Sequence, residues 1–132
     1  MLNYLLVAVG GALGSVARFW ASGVLANRFG QVFPWGTLFV NVSGSFAIGF
    51  FATLTAPEGR WLVGATGRNF LMTGICGGYT TFSSFSLQTL NLLQEEEWLY
   101  ATANAGLSLG LCMGAVWLGH LLATKINVLK GF

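Results

Sequence analysis

Long apolar stretches separated by short polar connections run through the whole chain. Residues 1–17, 29–57, 69–94 and 98–124 contain no Lys, Arg, Asp or Glu. A membrane-spanning helix needs about 20 mostly apolar residues. The first stretch reaches that length if Arg18 is admitted near its end, where an Arg head group can extend to the interface. We therefore predict four spans, at about residues 3–24, 36–55, 63–91 and 99–123.

Composition excludes several classes of protein. Of the 132 residues, 55% are hydrophobic and only 8% are charged, whereas an average soluble domain carries roughly 25% charged residues. The net charge of +2 is too small for a nucleic-acid-binding surface. Two cysteines are too few for a disulfide framework or a four-cysteine metal site. The sequence predicts an all-α membrane protein with one domain over residues 1–132 and no nucleic-acid partner.

The basic residues give only a weak preference for one orientation. Four spans place both termini on the same side of the membrane, and Lys and Arg favour the cytoplasmic side. Arg28 lies on the opposite side, and Arg18 joins it if its head group extends to that interface. Either the chain has one orientation that the sequence does not reveal, or copies insert both ways up. The basic residues on the side of the termini are Arg60, Arg68, Lys125 and Lys130, if Arg68 lies outside the third span.

Glycines predict close helix contacts. Gly10 and Gly14 form one GxxxG motif in the first span, and Gly106, Gly110 and Gly114 form two more in the fourth. Small residues let helix backbones approach each other in lipid. Because a bundle of four spans is too thin to enclose a solvated path, we also expect an oligomer.

Polar residues recur on one face of two spans. Thr37, Asn41 and Ser45 are spaced four apart in the second span, and Asn104 and Ser108 repeat that spacing in the fourth. A polar side chain in hydrocarbon needs a partner helix or a pathway. These faces could join helices by hydrogen bonds, or they could form the wall of a conduit whose hydroxyl and amide groups donate to an anion.

The third span predicts a break in its helix. Gly77-Gly78 followed by Thr80-Thr81 is poor helix-forming sequence, and we place the break near residues 77–81. Non-helical backbone at membrane depth requires burial in protein or a cavity. The break is either a packing kink or a place where freed carbonyls bind a cation, as unwound transporter segments do.

Two phenylalanines follow the predicted break. Phe82 and Phe85 are three residues apart and share a helix face, with Ser83, Ser84 and Ser86 between and after them. The usual role of such rings is packing. An aromatic ring also has a positive edge, so these rings could line an anion path without holding the ion too tightly for release.

At these residues the chain resembles the Fluc (CrcB) family of fluoride channels. The resemblance covers essentially the whole chain, and the third-span string is its most specific part. The matching segments are residues 10–14 with Arg18, residues 36–41, and Gly77-Gly78-Tyr79-Thr80-Thr81-Phe82-Ser83-Ser84-Phe85-Ser86.

The resemblance implies an antiparallel, dual-topology homodimer with two pores, each lined by both subunits. These pores would pass fluoride passively and exclude chloride. Asn41 would donate to the ion, and the ring edges of Phe82 and Phe85 would face it. Backbone carbonyls of Gly77 and Thr80 from both subunits would hold a structural sodium ion on the dimer axis.

The resemblance assigns further residues to the path and its mouth. Arg18 would have a structural or electrostatic role near the mouth. Gln88 and Asn104 depart from the residues found in at least some members, an acid and a tyrosine respectively, so they affect details of the vestibule and dimer contacts. The residues implied for the polar track or vestibule are Ser83, Ser84 and Ser108.

The physiology that the resemblance implies is fluoride export across a plasma or inner membrane, by a multi-pass protein inserted in both orientations. Hydrogen fluoride crosses membranes as the neutral acid and ionises in the more alkaline cytoplasm, and the channel lets the anion leave. We do not expect an enzyme, since His120 is the only histidine and has no acid or Cys near it in sequence.

Two other functions remain as alternatives. A small dual-topology multidrug exporter needs an ionisable group within the membrane, but Glu58 and Glu95-Glu96-Glu97 all lie in predicted connections. A non-transporting assembly or accessory subunit fits the composition, but it leaves the break and the phenylalanine pair without a role.

Overall fold

A computed structural model describes residues 1–129 of the protein, and no β-strand occurs among them. The all-α prediction is therefore confirmed for this part of the chain. Lys130, which we predicted on the side of the termini, lies outside the described residues. The helices are α1 (Leu2–Phe29), α2 (Trp35–Leu54), α3 (65–79), α4 (Phe82–Gln94) and α5 (Trp98–Leu129).

Three of the described helices, α1, α2 and α5, are long and apolar enough to cross a membrane. The third predicted span is divided into α3 and α4, because Thr80 and Thr81 adopt extended backbone angles. The break is narrower than predicted, since Gly77–Tyr79 remains helical. Within α3, Asn69–Cys76 is a π-helix, a form that is rare and often found at functional sites.

The glycines at the predicted break serve packing. A side chain at Gly78 would collide with the backbone of Gly11 on α1, and one at Gly74 would crowd Gly10. Gly14 in turn lies against the backbone of α3 at Ile75. The GxxxG motif of α1 therefore packs against a second pair of glycines spaced four apart on α3, as small residues allow in lipid.

The glycine series on α5 has a different environment. Nothing among the described residues lies within 4 Å of a Cβ built at Gly106, Gly110 or Gly114. These glycines therefore form an open strip on the outside of the molecule. The contact that α5 makes with α2 uses Gly49 and Gly119 instead, each of which lies against backbone of the other helix.

One end of the bundle gathers the end of α2, the start of α3 and the end of α5. Arg68 donates from a guanidinium nitrogen to Thr55 Oγ1 (2.7 Å) and to the Ala52 carbonyl (3.2 Å). Asn127 accepts from the Arg60 N–H (2.7 Å) and donates to the Thr53 carbonyl (3.1 Å). Arg68 thus lies at an end of the bundle, where it caps α2 and favourably meets the negative end of its dipole.

Large apolar side chains are mostly on the outside. Phe19 is 85% exposed and Trp20 is 70% exposed, whereas fully buried positions are taken by smaller residues such as Val40 and Ala123. An apolar surface of this extent indicates lipid or protein contact. The core therefore combines a few buried large side chains, among them Phe33 and Leu54, with close contacts between helix backbones.

This packing predicts the effect of one methyl group. Gly14→Ala should lower the free energy of unfolding by about 1–3 kcal/mol, because its Cβ would collide with α3 backbone that cannot move aside easily. Gly23→Ala on the same helix is the control, since its Cβ points into open space. Thermal unfolding in detergent, followed by circular dichroism, measures both. Equal melting temperatures for the two variants would contradict this account of the α1–α3 contact.

Candidate functional site

A cavity of about 530 Å³ lies beside the break, between α2, α4 and α5. None of the residues lining it carries a charge. The cavity brings together residues that are far apart in the sequence and that we predicted for one site. The predicted site residues that line it are Asn41, Thr80, Phe82, Phe85 and Ser108.

The carboxamide of Asn41 holds the break in place. Its Nδ2 donates to the Thr81 carbonyl (3.0 Å), and its Oδ1 accepts from the Thr81 N–H (2.7 Å). One side chain thereby satisfies both backbone groups of an extended residue. Because an unpaired backbone group at membrane depth costs several kcal/mol, this clamp makes the extended conformation tolerable. Asn41 keeps a second Nδ2 hydrogen beside the cavity.

Thr81 also caps the helix that follows. Its Oγ1 accepts from the Ser84 N–H (3.2 Å), as an N-cap threonine does. In a continuous helix the Ser84 N–H would bind the Thr80 carbonyl, and the Thr81 N–H would bind the Gly77 carbonyl. Instead, Asn41 Oδ1 accepts from the Thr81 N–H, and Thr81 Oγ1 accepts from the Ser84 N–H. The carbonyls of Gly77 and Thr80 therefore lose the partners that a regular helix gives them.

Close packing against α2 supports the break from the other side. A Cβ at Gly44 would collide with the methyl group of Thr80 and crowd the ring of Tyr79. The Tyr79 hydroxyl is 2.9 Å from Ser43 Oγ, and Thr80 Oγ1 donates back to the Cys76 carbonyl (3.0 Å). The segment that contains the break is thus fixed by α2 on one side and by its own helix on the other.

The two phenylalanines form a pair at the wall of the cavity. The ring centroids of Phe82 and Phe85 are 5.4 Å apart, with an angle of 51° between the planes. Phe82 is 79% exposed, and Phe85 is half-buried. One ring therefore projects from the molecule, and residues 1–129 do not enclose this side of the cavity.

Four predicted residues lie outside the lining of the cavity. Ser83 is exposed, with its Oγ 3.3 Å from Thr81 Oγ1, and Ser84 is half-buried in the first turn of α4. Gly77 is exposed on α3, and Arg18 is half-buried on α1. The roles that the resemblance implies for these residues stay predictions.

The sequence interpretation missed Gly44 and the capping role of Thr81. A threonine directly before a helix is a known N-cap signal, so Thr81 could have been identified from the chain alone. The contact between Gly44 and Thr80 could not, because 36 residues separate them and only the fold brings them together.

A second cavity, of about 650 Å³, lies where α1 ends, α2 begins and α4 ends. Gln88 lines it, together with Thr37 and Glu95. Within residues 1–129 the Gln88 Oε1 atom is buried and has no hydrogen-bond donor. Gln88 therefore contributes a neutral acceptor to the wall of this cavity.

The clamp predicts faster hydrogen exchange when it is removed. Asn41→Ala should speed exchange of the Thr81 amide by about tenfold or more, because the N–H loses its acceptor in a buried setting. Asn91→Ala, at an exposed position on α4, is the control. Hydrogen exchange with mass spectrometry on peptides covering residues 77–84 measures the change. An unchanged rate at Thr81 would show that Asn41 does not hold the break.

Comparison with known proteins places this chain in a family. The family described as CrcB-like protein, Camphor Resistance (CrcB), matches residues 5–120. A protein of Opitutus terrae named fluoride-specific ion channel FluC is 67% identical over 131 residues, covering 99% of each chain. A protein of the same name from Methylocella silvestris is 55% identical and covers 98% of this chain and 99% of its own.

A third relative supports the same grouping. The fluoride-specific ion channel FluC of Rhodospirillum rubrum is 59% identical over 126 residues, covering 96% of this chain and 98% of its own. These matches extend over nearly the whole chain and include the three helices that are long enough to span a membrane. The resemblance seen in the sequence is confirmed, and the chain is an integral membrane protein that belongs to the CrcB family.

Proposed function

We propose that this protein is a fluoride-selective passive ion channel that lets cytoplasmic fluoride leave the cell. The observation that carries the proposal is an uncharged cavity at a broken helix, lined by an amide, hydroxyls and a pair of phenylalanines. Its relatives of 55–67% identity are named fluoride-specific ion channels. Hydrogen fluoride that ionises inside the cell would be released through this path, helped by an inside-negative potential across the plasma or inner membrane.

The cavity wall suits a small anion. No carboxylate lines it to repel a negative charge. Asn41 has one Nδ2 hydrogen beyond the one that it gives to Thr81. The positive ring edges of Phe82 and Phe85 add weak attraction. Weak, multiple contacts of this kind let an ion enter and leave at a useful rate.

A second copy of the chain would complete the path. Phe82 is largely exposed beside the cavity, and the strip of Gly106, Gly110 and Gly114 faces outward. We propose an antiparallel dual-topology homodimer in which each of two pores takes residues from both subunits. The weak charge bias supports it, since Arg60, Arg68 and Lys125 at one end of the bundle are partly balanced by Arg28 and Arg18 in the second half of α1.

A structural sodium ion fits the chemistry of the break. The Gly77 and Thr80 carbonyls lose their usual donors to Asn41 and Thr81, and oxygen atoms freed in this way are the ligands that sodium takes in unwound membrane helices. Carbonyls from both subunits would hold the ion on the dimer axis. When bound, it would supply a fixed positive charge that joins the two breaks.

The alternatives fit the structure less well. A proton-coupled multidrug exporter needs an acid inside the membrane, but Glu58 lies in the connection after α2, and Glu95, Glu96 and Glu97 follow α4, all of them exposed. A non-transporting subunit would have no use for a cavity that gathers Asn41 and the phenylalanine pair. Relatives that are named as ion channels favour transport over catalysis.

Fluoride efflux from liposomes tests the proposal directly. Purified protein in liposomes loaded with potassium fluoride should discharge the gradient when valinomycin balances the charge, and an equal chloride gradient should persist. Replacing all sodium with N-methylglucamine before reconstitution should reduce the fluoride rate, with recovery when sodium is returned. Protein-free liposomes give the leak rate. Fluoride efflux at the leak rate in the presence of sodium would refute the channel function.

The phenylalanine pair gives a sharper test of the path. Phe82→Ile and Phe85→Ile should each lower fluoride efflux by about fivefold, because a ring-edge interaction on the order of 1 kcal/mol is lost while bulk is kept. Phe46→Ile is the control, since Phe46 stacks on Phe50 outside the cavity lining. The variants should elute from size exclusion like the unmodified protein. Unchanged efflux in both pore variants would place the path elsewhere.

A further inference from the structure

A short chain of hydrogen bonds runs from the cavity wall into the contact between α5 and α4. Ser108 Oγ donates to Asn104 Oδ1 (3.4 Å), Asn104 Nδ2 donates to Thr89 Oγ1 (2.9 Å), and Thr89 Oγ1 donates to the Phe85 carbonyl (2.8 Å). Asn104 is only 1% exposed and Ser108 is 8% exposed. Ser108 and Phe85 line the cavity, whereas Asn104 and Thr89 are not part of its lining.

The direction of this chain is fixed by its last member. A backbone carbonyl can only accept, so the single hydrogen of Thr89 must point to Phe85. Thr89 Oγ1 is then left as an acceptor, which requires Asn104 to turn its NH₂ group toward Thr89. The Asn104 oxygen must therefore face Ser108, and it accepts the only hydrogen that Ser108 has.

This direction determines what Ser108 offers to the cavity. With its hydrogen turned toward Asn104, the hydroxyl presents lone pairs to the cavity, and lone pairs repel an anion. To donate to an anion, Ser108 must turn its hydrogen away from Asn104 Oδ1. That oxygen would then be a buried acceptor without a donor, which is unfavourable.

We propose that Asn104 is a positioning residue that competes with the permeating anion for the hydroxyl hydrogen of Ser108, and so lowers the affinity of the path for the ion. The proposal rests on the proposed channel function. It assigns Asn104 an effect on ion affinity through Ser108, without contact between Asn104 and the ion. The 3.4 Å bond is long, so an anion can displace it, and the competition is adjustable.

A double-mutant cycle tests the competition. Asn104→Leu removes the competing oxygen at similar size, and we expect the fluoride concentration for half-maximal efflux from liposomes to fall by about two- to tenfold, the value of one neutral hydrogen bond. Ser108→Ala alone should change it less than the same substitution in the Asn104→Leu background. Combined with Ser108→Ala, Asn104→Leu should lose its effect, because there is no hydroxyl left to release.

A purely structural role for Asn104 gives a different result. It would lower the maximal rate or the yield of folded protein without depending on Ser108. A half-maximal concentration that is unchanged or higher in Asn104→Leu, or a decrease that persists after Ser108→Ala, would overturn the proposal. If the unmodified protein fails to discharge fluoride, the channel function fails as well. If the unmodified protein discharges fluoride but the effects of Asn104→Leu and Ser108→Ala on the half-maximal concentration simply add, only the proposed competition is overturned.

A second variant keeps the test valid if Asn104→Leu aggregates on size exclusion. Thr89→Val removes the acceptor that orients Asn104, so the amide can turn its NH₂ group toward Ser108 and release the hydroxyl hydrogen. The same decrease in half-maximal concentration is expected, with recovery in Thr89→Ser. Thr124→Val is the matched control, since Thr124 donates in the same way to the carbonyl four residues back, that of His120. This bond is not part of the hydrogen-bond series from Ser108 to Phe85. Equal behaviour of Thr89→Val and Thr124→Val would refute the proposal.

Discussion

The two hydrogen bonds between Asn41 and Thr81 are the interaction on which the site depends. A chain that leaves the helical conformation at membrane depth must satisfy its backbone groups without water. The carboxamide of Asn41 has one donor and one acceptor edge, which match the carbonyl and N–H of a single extended residue. Because Thr81 is held in this way, α4 begins at Phe82. The Phe82 ring then lies in the wall of the cavity that Asn41 also lines.

Glycine makes this clamp possible by letting the backbones come close. Gly44 lies one helical turn after Asn41 on α2, and any side chain there would collide with Thr80. On the other side, Gly10 and Gly14 bring α1 into backbone contact with α3. The break is thus contacted directly by α2, and the helix that precedes it is held against α1. Many large side chains are left for the outer surface, where lipid or a second copy can cover them.

Much of this architecture could be predicted from the distribution of charge and apolar residues. α2 lies within one charge-free stretch, and Gly77-Gly78 with Thr80-Thr81 correctly indicated a broken third segment. α1 and α5 are longer than predicted, since they continue past Arg18 and Lys125 to Phe29 and Leu129. The helical state of the two glycines could not be predicted. Their low helix propensity is outweighed by the tertiary contact of Gly78 with Gly11. The sequence also predicted Asn41 for the site, but not its bond to a residue 40 positions away.

Several donors in the cavity wall are already committed to acceptors within the protein. Thr80 Oγ1 donates to Cys76, Ser108 donates to Asn104, and one Asn41 hydrogen goes to Thr81. An anion that binds the hydroxyl of Thr80 or Ser108 must therefore compete with a protein acceptor as well as lose its own water. A wall of free donors would hold a small, strongly hydrated anion too tightly for release. Donors that are shared with the protein weaken that hold, and this gives a neutral wall a way to balance binding against conduction.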